Sequence, residues 1–441
     1  MKRLLAILSL FLLTALLFAG CTMQTVEQMY CVPRRSQSFD HVQKAMDMAM
    51  VGLEYAAPVS GENQQTVQLA DLDGDGADEY ILFARNPSQA PLNILVFDTD
   101  VDGSCYLMDV IELQGTSFQK VEYVEIDGVP GLELVVGRQL SDQLQGSVTV
   151  YSFGEGRGQR LLNVGYAHFL TTDLNRDGSS ELFIIQSAES VQSGDSRAIA
   201  SAYCFEDGGM ERSMEVKLSA PAGAVERILE GRLQDGAPAV FISSTVGEAS
   251  IATDVLCMDK TGLKAVVNMD SSVMALRNYY VYANDIDGDG VTEIPSLIPM
   301  QSLDAYGGPQ TRYLICWYSM DSRGVRTDKL YTFHDYGGGW YIRLDPAWAT
   351  RISTVKEGSS YIFYLWDEEY TKAEEFFTLF ILTGDERDQE AVMDHRFPLL
   401  RKEGIAYAAQ LHDLATRWNV TEEYLKNSFH LIRQDWKTGE T

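Results

Sequence analysis

The chain has 441 residues, 45% of them hydrophobic, and a formal net charge of −28 at pH 7. That length and apolar content suit two or three domains or one large repeat array. The acidic balance excludes a nucleic-acid binder, whose phosphates demand cationic neutralisation, and it excludes docking of the folded body onto anionic lipid.

The first 20 residues read as a targeting segment: Lys2 and Arg3, then an apolar run from Leu4 to Phe18. At about fifteen residues the run is short for a spanning helix, which needs ~20. Leu17-Phe18-Ala19-Gly20-Cys21 resembles a bacterial lipobox, with Phe18 standing where Leu is commoner. That resemblance implies cleavage before Cys21, lipidation of Cys21 and an extracytoplasmic protein anchored to the cell membrane. Removing Lys2 and Arg3 takes the formal charge from −28 to −30. Residues 21–36 read as a polar linker, and residues 37–58 as an N-terminal helix. Phe39, Val42, Ala45, Met46, Met50 and Leu53 share one face of that helix, and Pro58 ends it. Cys31, Cys105, Cys204, Cys257 and Cys316 form no C-x-x-C pair, and the last four fall in apolar strand-like runs as small hydrophobes.

From residue 59 to 336 the chain repeats. An acidic nonapeptide reads D-L-D-G-D-G-A-D-E from Asp71, D-L-N-R-D-G-S-S-E from Asp173 and D-I-D-G-D-G-V-T-E from Asp285. Decayed copies begin at Glu125, which keeps Glu133 at the ninth place, and at Gly231, which keeps only Asp235-Gly236. The starts are 54, 48, 58 and 54 residues apart. One apolar run precedes each loop (Thr66 to Ala70, Tyr279 to Ala283), and another follows it (Tyr80 to Phe83, Leu182 to Ile185). A third comes about ten residues on, and a weaker fourth closes the unit. Four short antiparallel strands per unit of 40–55 residues predict an all-β chain, a β-propeller of five to seven blades. Each unit buries its sheet faces only by stacking on its neighbours.

Oxygens at places one, three and five converge on one cation. Gly at six allows the bend, the carbonyl at seven adds a ligand, and the carboxylate at nine completes the cage. So many hard oxygen donors suit Ca²⁺. An EF-hand would need Glu at place twelve, where Leu82, Ile184 and Ser296 stand, and helical flanks where these are β-like. The recurring D-x-[DN]-x-D-G-x-x-[DE] loop between strands resembles the FG-GAP repeat of integrin-α-type propellers and the related bacterial VCBS-like repeats. The resemblance covers about residues 60–335. It implies structural Ca²⁺ at up to three sites, with side-chain ligands Asp71, Asp73, Asp75 and Glu79; Asp173, Asn175, Asp177 and Glu181; and Asp285, Asp287, Asp289 and Glu293. The carbonyl donors it implies are those of Ala77, Ser179 and Val291. The copies at Glu125 and Gly231 are expected to be empty.

Residues 337–441 read as a small α+β domain: strands at Trp340 to Arg343, Ile352 to Val355, Tyr361 to Leu365 and Phe376 to Leu382, helices at Tyr407 to Trp418 and Thr421 to Ile432, with Asn419 as a cap. A sixth blade made from the four strands is the rival. Ser353-Thr354-Val355-Lys356 and Lys437-Thr438-Gly439 match fragments of penicillin-recognising enzymes. Ser353 and Lys356 fall in a strand, however, where places one and four face opposite sides, and no S-D-N intervenes. No other catalytic motif appears. The chain therefore reads as a binding or scaffold module for an envelope protein or glycan. The alternative is an extracytoplasmic enzyme acting on polysaccharide with carboxylates in the propeller mouth.

Overall fold

The computed structural model describes residues 37–432 apart from 88–90, 102, 141–145, 155, 189–195, 248–249, 271–274, 278–280 and 304–311. The leader, Cys21, Cys31, the linker, Tyr279, Tyr280, Tyr306 and Lys437-Thr438-Gly439 lie outside these residues. Among the described residues the chain forms six antiparallel sheets in sequence order, the blades of a β-propeller.

The first blade runs Val67–Ala70, Glu79–Arg85, Pro91–Thr99 and Cys105–Gln114. The second runs Ser117–Val124, Glu133–Gln139, Gly146–Ser152 and Gln159–Tyr166. The third has His168–Thr172, Glu181–Gln186, Ile199–Glu206 and Gly209–Arg212, and the fourth Val225–Arg232, Pro238–Val246, Ser250–Asp259 and Gly262–Val267. Middle strands are largely buried because both of their faces are covered; every residue of Gly146–Ser152 is buried, Ser147 and Thr149 included. Outermost strands meet water, and Cys105–Gln114 leaves Tyr106, Leu107 and Val110 exposed.

Successive blades share their apolar faces. Phe83 and Phe118 join the first two edge-to-face at 5.0 Å, and Tyr166 and Phe169 join the second and third at 4.9 Å. The latter contact depends on two missing side chains. A Cβ on Gly137 would lie 2.5 Å from the Phe169 ring, and one on Gly146 would lie 2.6 Å from Tyr166. Ser219, after the third blade, donates through its main-chain N–H (2.9 Å) and its Oγ (2.5 Å) to Asp254 of the fourth.

The free face of the first blade carries helix α1 (Gln37–Ala49), whose Val42 and Met46 pack on Leu82, Ala84, Leu95 and Phe97. The helix stops nine residues before the expected residue 58, at a turn where Gly52 has φ +82°. Glu54–Tyr55 then pairs with Ala84 and Arg85 of the first blade.

The fifth blade departs from the pattern. Of its inner strand, expected over Tyr279 to Ala283, the described residues show only a bridge between Asn284 and Glu293. The sheet grows outward instead, through Ile294–Pro299, Tyr313–Met320, Arg326–Asp335, Trp340–Leu344 and Phe429–Leu431. The expected boundary at 336/337 thus falls inside the hairpin joining Arg326–Asp335 to Trp340–Leu344. The segment beyond it holds both a sheet and short helices, and its core runs on into the fifth blade. Phe333 and Trp340 share one cluster with Phe363, Phe377, Leu425 and Phe429. The sixth sheet contains Ile352–Glu357, Ser360–Trp366, Ala373–Thr383, Phe397–Lys402 and Ile405–Leu411. The helix expected over Tyr407 to Trp418 is therefore strand Ile405–Leu411 followed by helix Asp413–Arg417. Ala406, Ala408 and Ala409 are fully buried, and that close packing overrides the helical preference of alanine. The last helix is Glu422–Ser428, capped by Thr421, whose side chain accepts from the Tyr424 N–H; Asn419 is not the cap. Ser353 accepts from the Trp366 indole and donates to the Gln301 carbonyl, so it serves packing.

Two outcomes test this packing. Gly137→Ala should cost about 1–3 kcal/mol in urea unfolding, through overpacking against Phe169. Asp254 is fully buried, and burial holds its carboxyl up at about 6. Because the folded chain retains that proton where the unfolded chain has released it, the Asp254 contribution to stability is present at pH 4 and lost as pH rises through 6. Asp254→Asn should flatten that segment of the stability–pH curve, read from urea midpoints.

Candidate metal centres and central cavity

Each loop follows an inner strand and obeys one hydrogen-bonding scheme. The place-one carboxylate accepts from the N–H of place four: Gly74 to Asp71 (2.7 Å), Gly128 to Glu125 (2.7 Å), Arg176 to Asp173 (2.6 Å) and Gly288 to Asp285 (2.7 Å). The place-six N–H groups of Gly76, Gly178 and Gly290 reach the second oxygen of Asp71, Asp173 and Asp285. Asp75, Asp177 and Asp289 accept from Ala77, Ser179 and Val291 at 2.7–2.8 Å. The ninth-place glutamate turns inward, and its Oε2 takes the place-two N–H: Leu72 to Glu79 (2.6 Å), Leu174 to Glu181 (2.7 Å) and Ile286 to Glu293 (3.1 Å). The place-two side chains Leu72, Ile126, Leu174 and Ile286 are buried, as is Leu233 at the third place of the shorter copy. Places four and six bend left-handed. Gly74 has φ +78°, and a Cβ there would lie 2.3 Å from the Pro130 main chain. Arg176 adopts φ +66° at the same place, at a cost of order 1 kcal/mol.

The three loops share one hydrogen-bonding scheme, with Ala77, Ser179 and Val291 at the carbonyl place, but among the described residues the loop at Asp173 forms no group of three acidic oxygens within 4.8 Å. Asp71, Asp73 and Glu79 offer oxygens within 4.8 Å of one another, as do Asp285, Asp287 and Asp289. Glu79 and Glu293 are fully buried, and the Oε1 of each has no hydrogen-bond partner. Burial holds both carboxyls, and that of Glu181, up at about 7. Asp73 is also raised, by burial and then by the negative charges of Asp75, Asp98 and Asp71. A buried, unpaired carboxylate oxygen among repelling neighbours is what a hard cation would relieve, so these residues fit Ca²⁺. Bound there, the ion would neutralise the loop and displace protons as it did so. In the third-blade loop the Asn175 amide donates to Asp177 (2.8 Å) and Glu181 (2.6 Å), so its oxygen must turn inward to ligate.

Several partners escaped sequence reading because they come from distant strands. Asp98, buried on Pro91–Thr99, adds a negative charge beside Asp73 and Glu79. Lys329 reaches Asp289 at 2.9 Å. The copy at Glu125 still brings Glu125, Asp127 and Glu133 within 4.8 Å despite lacking a fifth-place oxygen at Val129. The copy at Gly231 is shorter: Arg232 pairs directly with Pro238, where Ala70 pairs with Glu79. Neighbouring loops are joined by main-chain bonds, Leu132 N–H to the Asp71 carbonyl and Ser180 N–H to that of Glu125.

The inner strands of the second, third and fourth blades also enclose a cavity of about 1050 Å³. Glu62, Lys120, Glu122, His168, Glu226 and Glu230 are among the residues lining it. Lys120 pairs with Glu122 at 2.6 Å and lies over the Phe169 ring. Among the described residues no helix is long and apolar enough to cross a membrane.

No family profile and no curated protein matches this chain. Solved structures do match it. Rhamnogalacturonan lyase YesW is 13% identical, with 74% of each chain covered and a TM-score of 0.28. A protein from Lactobacillus plantarum is 12% identical, covering 72% of this chain and 85% of its own, with a TM-score of 0.28. The Dos1 propeller is 8% identical, with 81% of each chain covered and a TM-score of 0.28. The blade and loop assignments rest on the sheet register and hydrogen bonds of this chain itself.

At millimolar Ca²⁺ and a Kd of ~10⁻⁴ M, each filled loop adds roughly 1.4 kcal/mol. Adding Ca²⁺ to chelator-stripped protein should raise Tm by several degrees in a calorimeter. Glu79→Ala and Glu293→Ala should each remove part of that rise.

Proposed function

We propose that this chain is a calcium-stapled propeller of the FG-GAP or VCBS-like type, tethered outside the cell membrane through lipid on Cys21. It acts as a binding or scaffold module for an envelope protein or glycan. The observation supporting it is the set of buried, unpaired glutamate oxygens at Glu79 and Glu293. A cation there has nearly every ligand place supplied by protein, which suits a structural ion rather than one that turns over substrate. Three filled loops would stiffen the first, third and fifth blades and hold the exposed surface in one shape.

The polysaccharide-enzyme reading has its own support, since Glu122 and Glu230 both line the central cavity. Pull-down from intact envelopes separates the two. The scaffold reading expects a stable partner that is retained in Ca²⁺ and lost in chelator, with no glycan fragments released. Fragment release that disappears in Glu230→Gln would establish the enzyme instead.

A further inference from the structure

We propose that the three loops are unequal: the first-blade loop is the tight calcium site, strengthened by Asp98, and Lys329 weakens its counterpart in the fifth blade. The inference rests on the calcium reading above and assigns roles to two residues outside the nonapeptides. Glu79 in the first loop and Glu293 in the fifth are both 0% exposed, and each turns an oxygen without a hydrogen-bond partner into its loop. Their surroundings differ.

The first difference lies on the strand beside the glutamate. Tyr80 pairs with Phe97 in the first blade, so the next rung sets Asp98 opposite Glu79, on the same face of the sheet. Asp98 is buried, and it accepts from the Tyr106 hydroxyl and from the Thr99 N–H (2.5 Å), which together fix its direction. In the third blade Leu182 pairs with Tyr203, which sets Cys204 opposite Glu181. In the fifth, Ile294 pairs with Tyr318, which sets Ser319 opposite Glu293. Of these three rungs, the first alone carries a second acid.

Charge then ranks the sites. Asp71, Asp73, Asp75, Glu79 and Asp98 bring five carboxylates together, and the charges that act most on Asp73 and Glu79 are all negative. Asp98 attracts a cation through its field without having to ligate it. The third loop has three carboxylates, because Asn175 stands where the others carry Asp, and the Asn175 amide already occupies Asp177 and Glu181. The fifth loop has four, but the Lys329 ammonium holds Asp289 at 2.9 Å and must leave before that oxygen can ligate. Calcium affinity depends on ligand charge and on the rigidity of the site. Rigidity favours the first loop as well: the Leu132 N–H of the second-blade loop holds the Asp71 carbonyl, and a Cβ on Gly131 would lie 2.5 Å from the Leu72 carbonyl oxygen.

Calorimetric titration of the chelator-stripped full chain with Ca²⁺ tests the inference. One tight site followed by weaker ones is expected. Asp98→Asn, which keeps an acceptor for Tyr106, should weaken the tight site about tenfold, and Glu79→Gln should abolish it. Lys329→Gln should tighten one weak site about threefold, a gain that a damaged fold would not produce. Equal affinity at all loops, an undiminished tight site in Asp98→Asn or an unaltered weak class in Lys329→Gln would overturn this ranking and leave the calcium reading standing. No heat from any loop would remove both together.

Discussion

The fold turns on a carboxylate that a protein would not ordinarily bury. In each complete loop the ninth-place glutamate points inward to hold the N–H of place two, and that bond draws the place-two side chain into the gap between blades. The same glutamate begins the next strand, so its position couples the loop to the sheet register. Taking it out of water is expensive unless something positive stands opposite. Burial lifts these acids toward neutrality for that reason, and the remaining loop oxygens face the same point. Electrostatic need and mechanical closure are thus met by one residue.

What could be read from the sequence was local. Oxygens at places one to nine converge because adjacent residues are forced together by two left-handed turns, and that spacing is written in order along the chain. The runs Tyr80 to Phe83, Leu182 to Ile185 and Tyr313 to Tyr318 were legible as strands because burial on both faces leaves them uninterrupted by polar residues. What stayed hidden was non-local. Lys329 meets Asp289 across forty positions, and Asp98 approaches Glu79 from a later strand. Glu122 and Glu230 come to one cavity from alternate blades. Alanine-rich Ile405–Leu411 is a strand because it pairs with a neighbour on each side, Ala373–Thr383 and Phe397–Lys402. The shortening of the fourth-blade loop was invisible too, since Asp235-Gly236 survives in a turn of different length.

The two kinds of glycine in this chain answer different demands. Gly74 and Gly76 supply backbone angles that a loop folded around converging oxygens requires. Gly137 and Gly146 keep ordinary strand geometry and instead make space for the rings of Phe169 and Tyr166. Arg176 shows that the first demand bends, at some cost in strain, because its side chain points outward.

The strand Phe429–Leu431 returns past the whole sixth sheet to pair with Trp340–Leu344. The fifth blade is therefore incomplete until Leu431 has been made. As a nascent chain leaves its point of synthesis, the earlier blades can assemble in order. The edge at Trp340–Leu344 must wait with its hydrogen-bonding groups exposed, an invitation to mispairing. Late truncations would thus injure a unit whose own sequence ends some ninety positions upstream.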